Sequence, residues 1–250
     1  NTTGASNVAV GRNSLFANIS GTGNTAVGCE AANANTTGNS NVAIGNVALC
    51  SNTTASNNVA VGNLALRAST TGSSLTAIGS GALQANETGA QNTAVGLNSM
   101  NKNTTGASNV GVGVLALACN TTASNNTAVG EKALWKNTTG TLNVAVGHSA
   151  LTTNTTGTNN VAVGKDSLLD NTTGEQNVAI GDTALANNTT ANLNTAVGAN
   201  SMFKNTTGAS NTAIGTSTLI CNLTGAQNTA VGNASLGSTT NGSCNTAVGA

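Results

Sequence analysis

The chain has a single histidine, His148, so it lacks a second imidazole for a His-based metal cluster or catalytic relay. Glu131 and Lys165 stand 17 residues to either side of it, and Asp182 one further step along. A chain returning to the same place every 17 residues would stack these four as acid, base, base, acid. Such an exposed column is worth about 0–1 kcal/mol per pair and implies no catalysis. Asp166, Asp170 and Glu175 fall at different points of the same period, so a carboxylate dyad would arise only by accident of geometry. None of the 31 glycines leads into the Gly-Lys-Ser/Thr ending of a phosphate loop.

The five cysteines, Cys29, Cys50, Cys119, Cys221 and Cys244, form no C-x-x-C pair, which leaves a zinc or thioredoxin-like reading without support. Cys119 and Cys221 share a repeat position but lie six repeats apart. At ~4.8 Å per stacked strand that is about 29 Å, far past the roughly 7 Å limit for a disulfide. Small apolar fillers or surface thiols are the expectation, with a bond between chains as the alternative. No residue pattern calls for a cofactor.

Asn-x-Ser/Thr recurs through the chain, at Asn35, Asn52, Asn103, Asn137, Asn154, Asn171 and Asn205 among others. In a eukaryotic secretory pathway these are candidate glycosylation sites. The competing reading is turn and ladder chemistry copied by duplication, because any repeated Asn-x-Thr produces sequons automatically.

Composition narrows the classes further. Charged residues make up 6% of the chain, aromatic residues 1%, and the formal net charge is zero. That removes electrostatic attraction to nucleic acid or to an anionic membrane as a basis for binding. No apolar run approaches the roughly 20 residues of a membrane span. Val, Ile and Thr are abundant enough to favour order over disorder, and a core built mainly from Ala and Val must be thin.

What positions all these residues is a repeat. Asn41-Val42-Ala43-Ile44-Gly45 returns unaltered at Asn177–Gly181, and close variants end in glycine every 17 residues from Gly11 to Gly249. A fixed period of this length is the signature of a solenoid. Asn41 is taken as position 1 and Gly45 as position 5. Position 1 is Asn in every copy except Leu75, position 2 is Val or Thr, position 3 is Ala except at Gly111, and position 4 is Val or Ile. Position 8 is mostly Ala or Ser, position 9 mostly Leu, and positions 12–15 mostly Asn-Thr-Thr-Gly.

Positions 2–4 alternate as a short strand, with the β-branched side chains at 2 and 4 expected inside and Ala at 3 outside. Leu at position 9 is the second core column. The variable pairs 6–7, 10–11 and 16–17 are expected as corners, because one member of each pair would otherwise face inward. The expected fold is therefore all-β: a parallel β-solenoid of 17 residues per coil and about 15 coils, with a three-sided outline. The alternatives are a two-sided β-roll and a strand plus a short helical turn per coil, since positions 4, 8, 9 and 12 also recur at helix-like spacing. Residues 1–250 form one repeat array without atypical end coils, which suggests an uncapped segment of a longer fibre.

In such a stack, Asn at positions 1 and 12 should form ladders that pass amide hydrogen bonds from coil to coil. Gly at 5 and 15 should give backbone freedom beside corners. The outward Ala face, including Ala43 and Ala179, would let another chain approach closely. Trp135, Leu169, Phe203 and Ile220 at position 10 would add an apolar stripe for inter-chain contact.

The Val-Ala-Ile-Gly motif after a small polar residue, followed by two variable residues and Ala or Ser, resembles the head repeat of trimeric autotransporter adhesins. Asn-Thr-Ala-Val-Gly-x-x-Ala-Leu also resembles repeats of phage and large-virus tail fibres. The resemblance covers all fifteen motifs, such as Asn92–Gly96 and Asn211–Gly215, but not the Asn-Thr-Thr-Gly half, and the adhesin repeat is shorter. It implies a left-handed parallel β-roll, assembly as a trimer or filament, attachment to a host surface or glycan, and a place outside the cell or on a virion. The leading expectation is a non-enzymatic structural or adhesive fibre segment. The alternative is an ice-binding solenoid using outward Thr and Asn rows, although adjacent Thr residues at 13 and 14 should alternate faces.

Overall fold

The computed structural model describes residues 1–249. It is all-β and contains no helix among them: fifteen three-residue strands, from Val8–Val10 to Thr246–Val248, fall at positions 2–4 of successive repeats. Contacts group the chain into two compact units, Asn1–Asn125 and Asn126–Ala250. Within each, consecutive strands pair in parallel with a constant 17-residue register, as in Val42↔Val59 and Val161↔Val178. This is a parallel β-solenoid. The helical turn weighed above is absent because the segment is about one turn long, too short to nucleate alone, and some of its N–H groups reach other coils, as Leu134 N–H does to Ala150 O.

The stacking is carried by far more of the backbone than the strands. Val42 N–H donates to Asn58 O in the following coil and Gly45 N–H to Val27 O in the preceding one, each at 2.8 Å. Val47 N–H returns to Cys29 O and Leu49 N–H goes forward to Ala65 O, both at 2.9 Å. Thr36 and Thr37 N–H share Thr53 O, at 2.8 and 3.2 Å. Other bonds stay inside the coil, such as Ala48 N–H to Gly45 O and Asn52 N–H to Leu49 O. Most backbone donors therefore find partners although only three residues in 17 are strand.

The interior is the reverse of the strand expectation. Ala43 and Ala179 are fully buried, whereas Val42 is half-buried and Ile44 is 40% exposed. Ala at position 3 faces in, and the β-branched residues at 2 and 4 face out. The reason is width. A methyl built on Gly111 would lie 2.8 Å from Ser99 Oγ and 3.3 Å from Met100 Cγ, the position 8 and 9 side chains of the facing wall. That wall stands so close that position 3 has room for little more than a methyl. Leu at position 9 supplies the bulk of the apolar core: Leu49, Leu66, Leu134 and Leu168 are fully buried. Ala179→Val should therefore overpack the interior and cost about 1–3 kcal/mol, read as a lower denaturant midpoint, while Val178→Thr on the outer face should be nearly neutral.

Corner geometry is also unexpected. The backbone enters the left-handed region at positions 7, 9 and 17, as at Val47 (φ 58°), Leu49 (φ 51°) and Asn57 (φ 63°). Each such non-glycine residue costs about 1–2 kcal/mol. At position 9, burying a leucine contributes about 1.5–3 kcal/mol and offsets that cost. Position 5 lies further out, at φ 136° for Gly45, where only glycine is comfortable. Position 15 does not need glycine's freedom: its φ is ordinary, and Ala55, Ala123 and Ala191 occupy it.

Candidate functional site

Two columns of asparagine run through the interior of each unit. At position 12, Asn35 Nδ2 donates to Asn18 Oδ1 of the preceding coil (3.0 Å) and to Gly38 O of its own coil (3.1 Å). Its own Oδ1 receives Asn52 Nδ2 at 2.7 Å. At position 1, Asn41 Oδ1 receives the backbone N–H of Asn58 at 3.1 Å, and Asn41 Nδ2 donates to Ala55 O at 2.9 Å. The same Ala55 O accepts Asn52 Nδ2 at 3.1 Å. The position 15 carbonyl is thus a double acceptor that ties the two columns together. Both columns are buried along most of their length, and outside the breaks at Ser69 and Thr239 their amides are satisfied in series, as a low-dielectric interior requires.

This settles where the sequon asparagines stand. Asn35, Asn52, Asn103, Asn137, Asn154, Asn171 and Asn205 are all at 0% exposure. In Asn154, Asn171 and Asn205 both Nδ2 protons are donated, one to the preceding Asn and one to the position 15 carbonyl. A glycan bond removes one of those protons and needs space that the stacked coils do not leave. Chain produced in a glycosylating host should accordingly carry no N-glycan at these positions in its folded fraction. Intact mass before and after glycosidase treatment checks this.

Two further ladders lie nearer the surface. Thr at position 13 donates its hydroxyl to the position 13 carbonyl of the next coil, as Thr36 Oγ1 to Thr53 O at 2.9 Å and Thr172 Oγ1 to Thr189 O at 3.0 Å. Where position 16 is Ser or Asn, its side chain caps the position 16 N–H one coil back, as Asn39 Oδ1 does for Thr22 N–H and Ser243 Oγ for Ala226 N–H. Thr54 and its equivalents at position 14 are exposed.

The outer strand face carries position 2 beside position 4. Ile44, Ile78, Ile180 and Ile214 are each about 40% exposed, with valines filling the remaining position 4 sites. No charged residue occurs at either position in any copy. In the second unit, Thr195, Thr212, Thr229 and Thr246 form an unbroken run at position 2. Because Ala43 and Ala179 face the other way, they are not available for inter-chain contact. Trp135, Leu169, Phe203 and Ile220 are half-buried rather than a projecting stripe, and Lys136 Nζ lies 5.7 Å from the Trp135 ring centroid.

The titratable groups sit on the corners. His148 Nδ1 is 3.8 Å from Asp166 Oδ1 and Lys165 Nζ is 3.4 Å from Asp166 Oδ2. The pairing therefore runs diagonally between positions 6 and 7, not down the column of Glu131, His148, Lys165 and Asp182. All five cysteines are free. Burial pushes the Cys50 thiol up, with Glu30 adding to the effect and Arg67 opposing it. An alkylating reagent at mildly alkaline pH should modify exposed Cys244 before Cys50, as peptide mapping over time would show. Among the described residues, no three His, Cys, Asp or Glu side chains come together as a metal site, and no pocket opens. Among the described residues no helix is long and apolar enough to cross a membrane. No protein-family model matches the chain, and no curated protein matches it in sequence.

Proposed function

We propose that this chain is a structural, non-enzymatic segment of an extracellular fibre that associates with copies of itself through the outer strand face. The observation that carries this reading is the uncharged double row at positions 2 and 4. Repeated β-branched side chains stand partly exposed at strand spacing, and an extended apolar surface of this kind marks an interaction site more often than a solvated face. A second copy presents the same rows at the same 17-residue period, so the two faces match in chemistry and in spacing. The place outside the cell and the adhesive role, attachment to a host surface or its glycans, rest on the likeness of the Val-Ala-Ile-Gly motif to surface-fibre repeats.

Sedimentation of the full chain tests the association. Wild type should form a concentration-dependent oligomer, a trimer or filament. A variant carrying Ile44→Lys, Ile78→Lys, Ile180→Lys and Ile214→Lys should keep its circular dichroism spectrum and sediment as a monomer. Wild type that stays monomeric at high concentration would sink the proposal.

Ice binding is the second reading, favoured by one observation: the run Thr195, Thr212, Thr229 and Thr246 lies outward beside Val197, Ile214, Val231 and Val248 in a regular sheet. A thermal-hysteresis measurement decides it, and absence of hysteresis removes it.

A further inference from the structure

Three buried side-chain atoms among the described residues have no hydrogen-bond partner: Asn52 Oδ1, Ser69 Oγ and Asn222 Oδ1. They are not scattered. Position 12 is Asn in every coil except two, where it is Ser69 and Thr239. Asn52 and Asn222 are the asparagines immediately before those two interruptions, so each unpartnered oxygen is one that the next amide in the column would have served.

The Ser69 interruption is fully enclosed, since Asn52, Ser69 and Asn86 are all at 0% exposure. Three interactions are missing around it. Asn52 Oδ1 lacks the Nδ2 donor it would receive from an asparagine at position 69. Gly72 O accepts Asn58 Nδ2 at 2.9 Å but lacks the second donor that Ala55 O has. Asn86 Nδ2 donates to Gly89 O at 2.9 Å, while its counterparts also donate to the preceding Asn. A methyl built on Gly72 meets Asn86 Nδ2 at 3.0 Å and Leu75 Cδ1 at 3.2 Å. One built on Gly89 meets its own coil's Asn86 Oδ1 at 2.8 Å, a contact with no equivalent at Gly72. Serine is shorter than asparagine by the amide group, and the difference is on the order of one water in size.

We infer that Ser69 creates a buried binding site for a single water molecule, enclosed by Asn52 Oδ1, Ser69 Oγ, Gly72 O and Asn86 Nδ2. The partner count fits water. It gives its two protons to Asn52 Oδ1 and Gly72 O, and it accepts from Asn86 Nδ2 and the Ser69 hydroxyl. A cation would face the Asn86 N–H, and an anion would face two acceptor oxygens. Buried waters typically make about three hydrogen bonds to groups that otherwise lack partners, and here four are at hand. The Leu75 methyl forms the apolar side of the site. The water replaces the missing rung, so the amide column continues through it.

The test is a high-resolution structure of the full chain together with water-exchange relaxation measurements on wild type and on Ser69→Asn. Wild type should show a density peak within hydrogen-bonding distance of Asn52 Oδ1 and Ser69 Oγ. Ser69→Asn should lose that peak and one long-lived internal water, with a direct Nδ2 contact to Asn52 Oδ1 in its place. A wild-type structure in which the Leu75 side chain fills the space without a peak overturns the inference. So does an equal number of long-lived waters in the two proteins. Ser69→Ala serves as a further variant: it removes one of the four partners and should keep the peak, and its loss there would equally contradict the assignment.

Discussion

Gly147→Ala is expected to be among the most damaging single substitutions in the chain, costing upwards of about 3 kcal/mol. Two causes act together. Gly147 has φ 136°, a region essentially restricted to glycine. A Cβ there would also lie 2.5 Å from Gly164 O and 2.7 Å from Gly164 C in the next coil. Those neighbours are backbone, so relief requires separating the coils, and the adjacent Gly147 N–H to Val129 O bond at 2.8 Å is strained with them. The comparison that isolates the cause is Gly157→Ala at position 15. There a Cβ would come at least as close to the next coil's backbone, at Gly174 O, but φ is ordinary and alanine already occupies the position at Ala55, Ala123 and Ala191, so the cost should be clearly smaller than at Gly147 and the difference reports the φ term. Because repeat arrays open locally, hydrogen exchange at Val144 and Val161 is the sensitive measurement. Equal protection in the two variants would contradict this account.

The two glycine columns look alike in sequence, and their difference shows how much of the structure was legible there. The period, the parallel stack and both asparagine columns could be read directly, because a repeat without insertions forces equivalent residues into register and asparagine is well suited to bonding its own copy. The facing of the strand was also written in the sequence, in the residue choices across copies. Position 3 is never larger than alanine, whereas position 2 exchanges Val and Thr freely. A core position does not accept that exchange cheaply, since the hydroxyl would need a buried partner. β-branched residues suit the inside and the outside of a sheet alike, so alternation alone fixed the period and left the sign open.

Other features had no signal of their own. Leucine is a poor candidate for a left-handed conformation, yet Leu49, Leu66 and Leu134 adopt it at position 9, where the core takes its largest side chains. Nothing in position 15 announces that its carbonyl serves two asparagine columns. The position 16 caps were hidden by variability: a serine or asparagine there acts on the coil before it, and an alanine makes no such bond. Sequons, finally, describe what a glycosylating enzyme would accept on an unfolded chain. Burial in the folded coil is a separate property, set by the ladder that the same asparagines build.

Asn171→Ala should cost about 2–5 kcal/mol, and the ladder geometry gives the reason. Asn171 Nδ2 donates to Asn154 Oδ1 at 2.9 Å and to Gly174 O at 3.0 Å, and its Oδ1 receives Asn188 Nδ2 at 2.9 Å. Alanine removes three hydrogen bonds and leaves Asn154 Oδ1 and one Asn188 N–H buried without partners. Each such group costs about 1–3 kcal/mol. Gly174 O keeps the Nδ2 of Asn160 at 2.8 Å and adds less to the total. Asn171→Ser reproduces the natural arrangement at Ser69 and should cost less than alanine if a water completes the broken rung. An exposed change one coil away, such as Thr156→Ala, should have almost no effect. The ordering alanine, serine, surface control, from most to least destabilised, distinguishes a ladder that depends on continuous amide bonding from a column of asparagines that merely fills space. In the second case, alanine and serine would differ only by their small difference in volume.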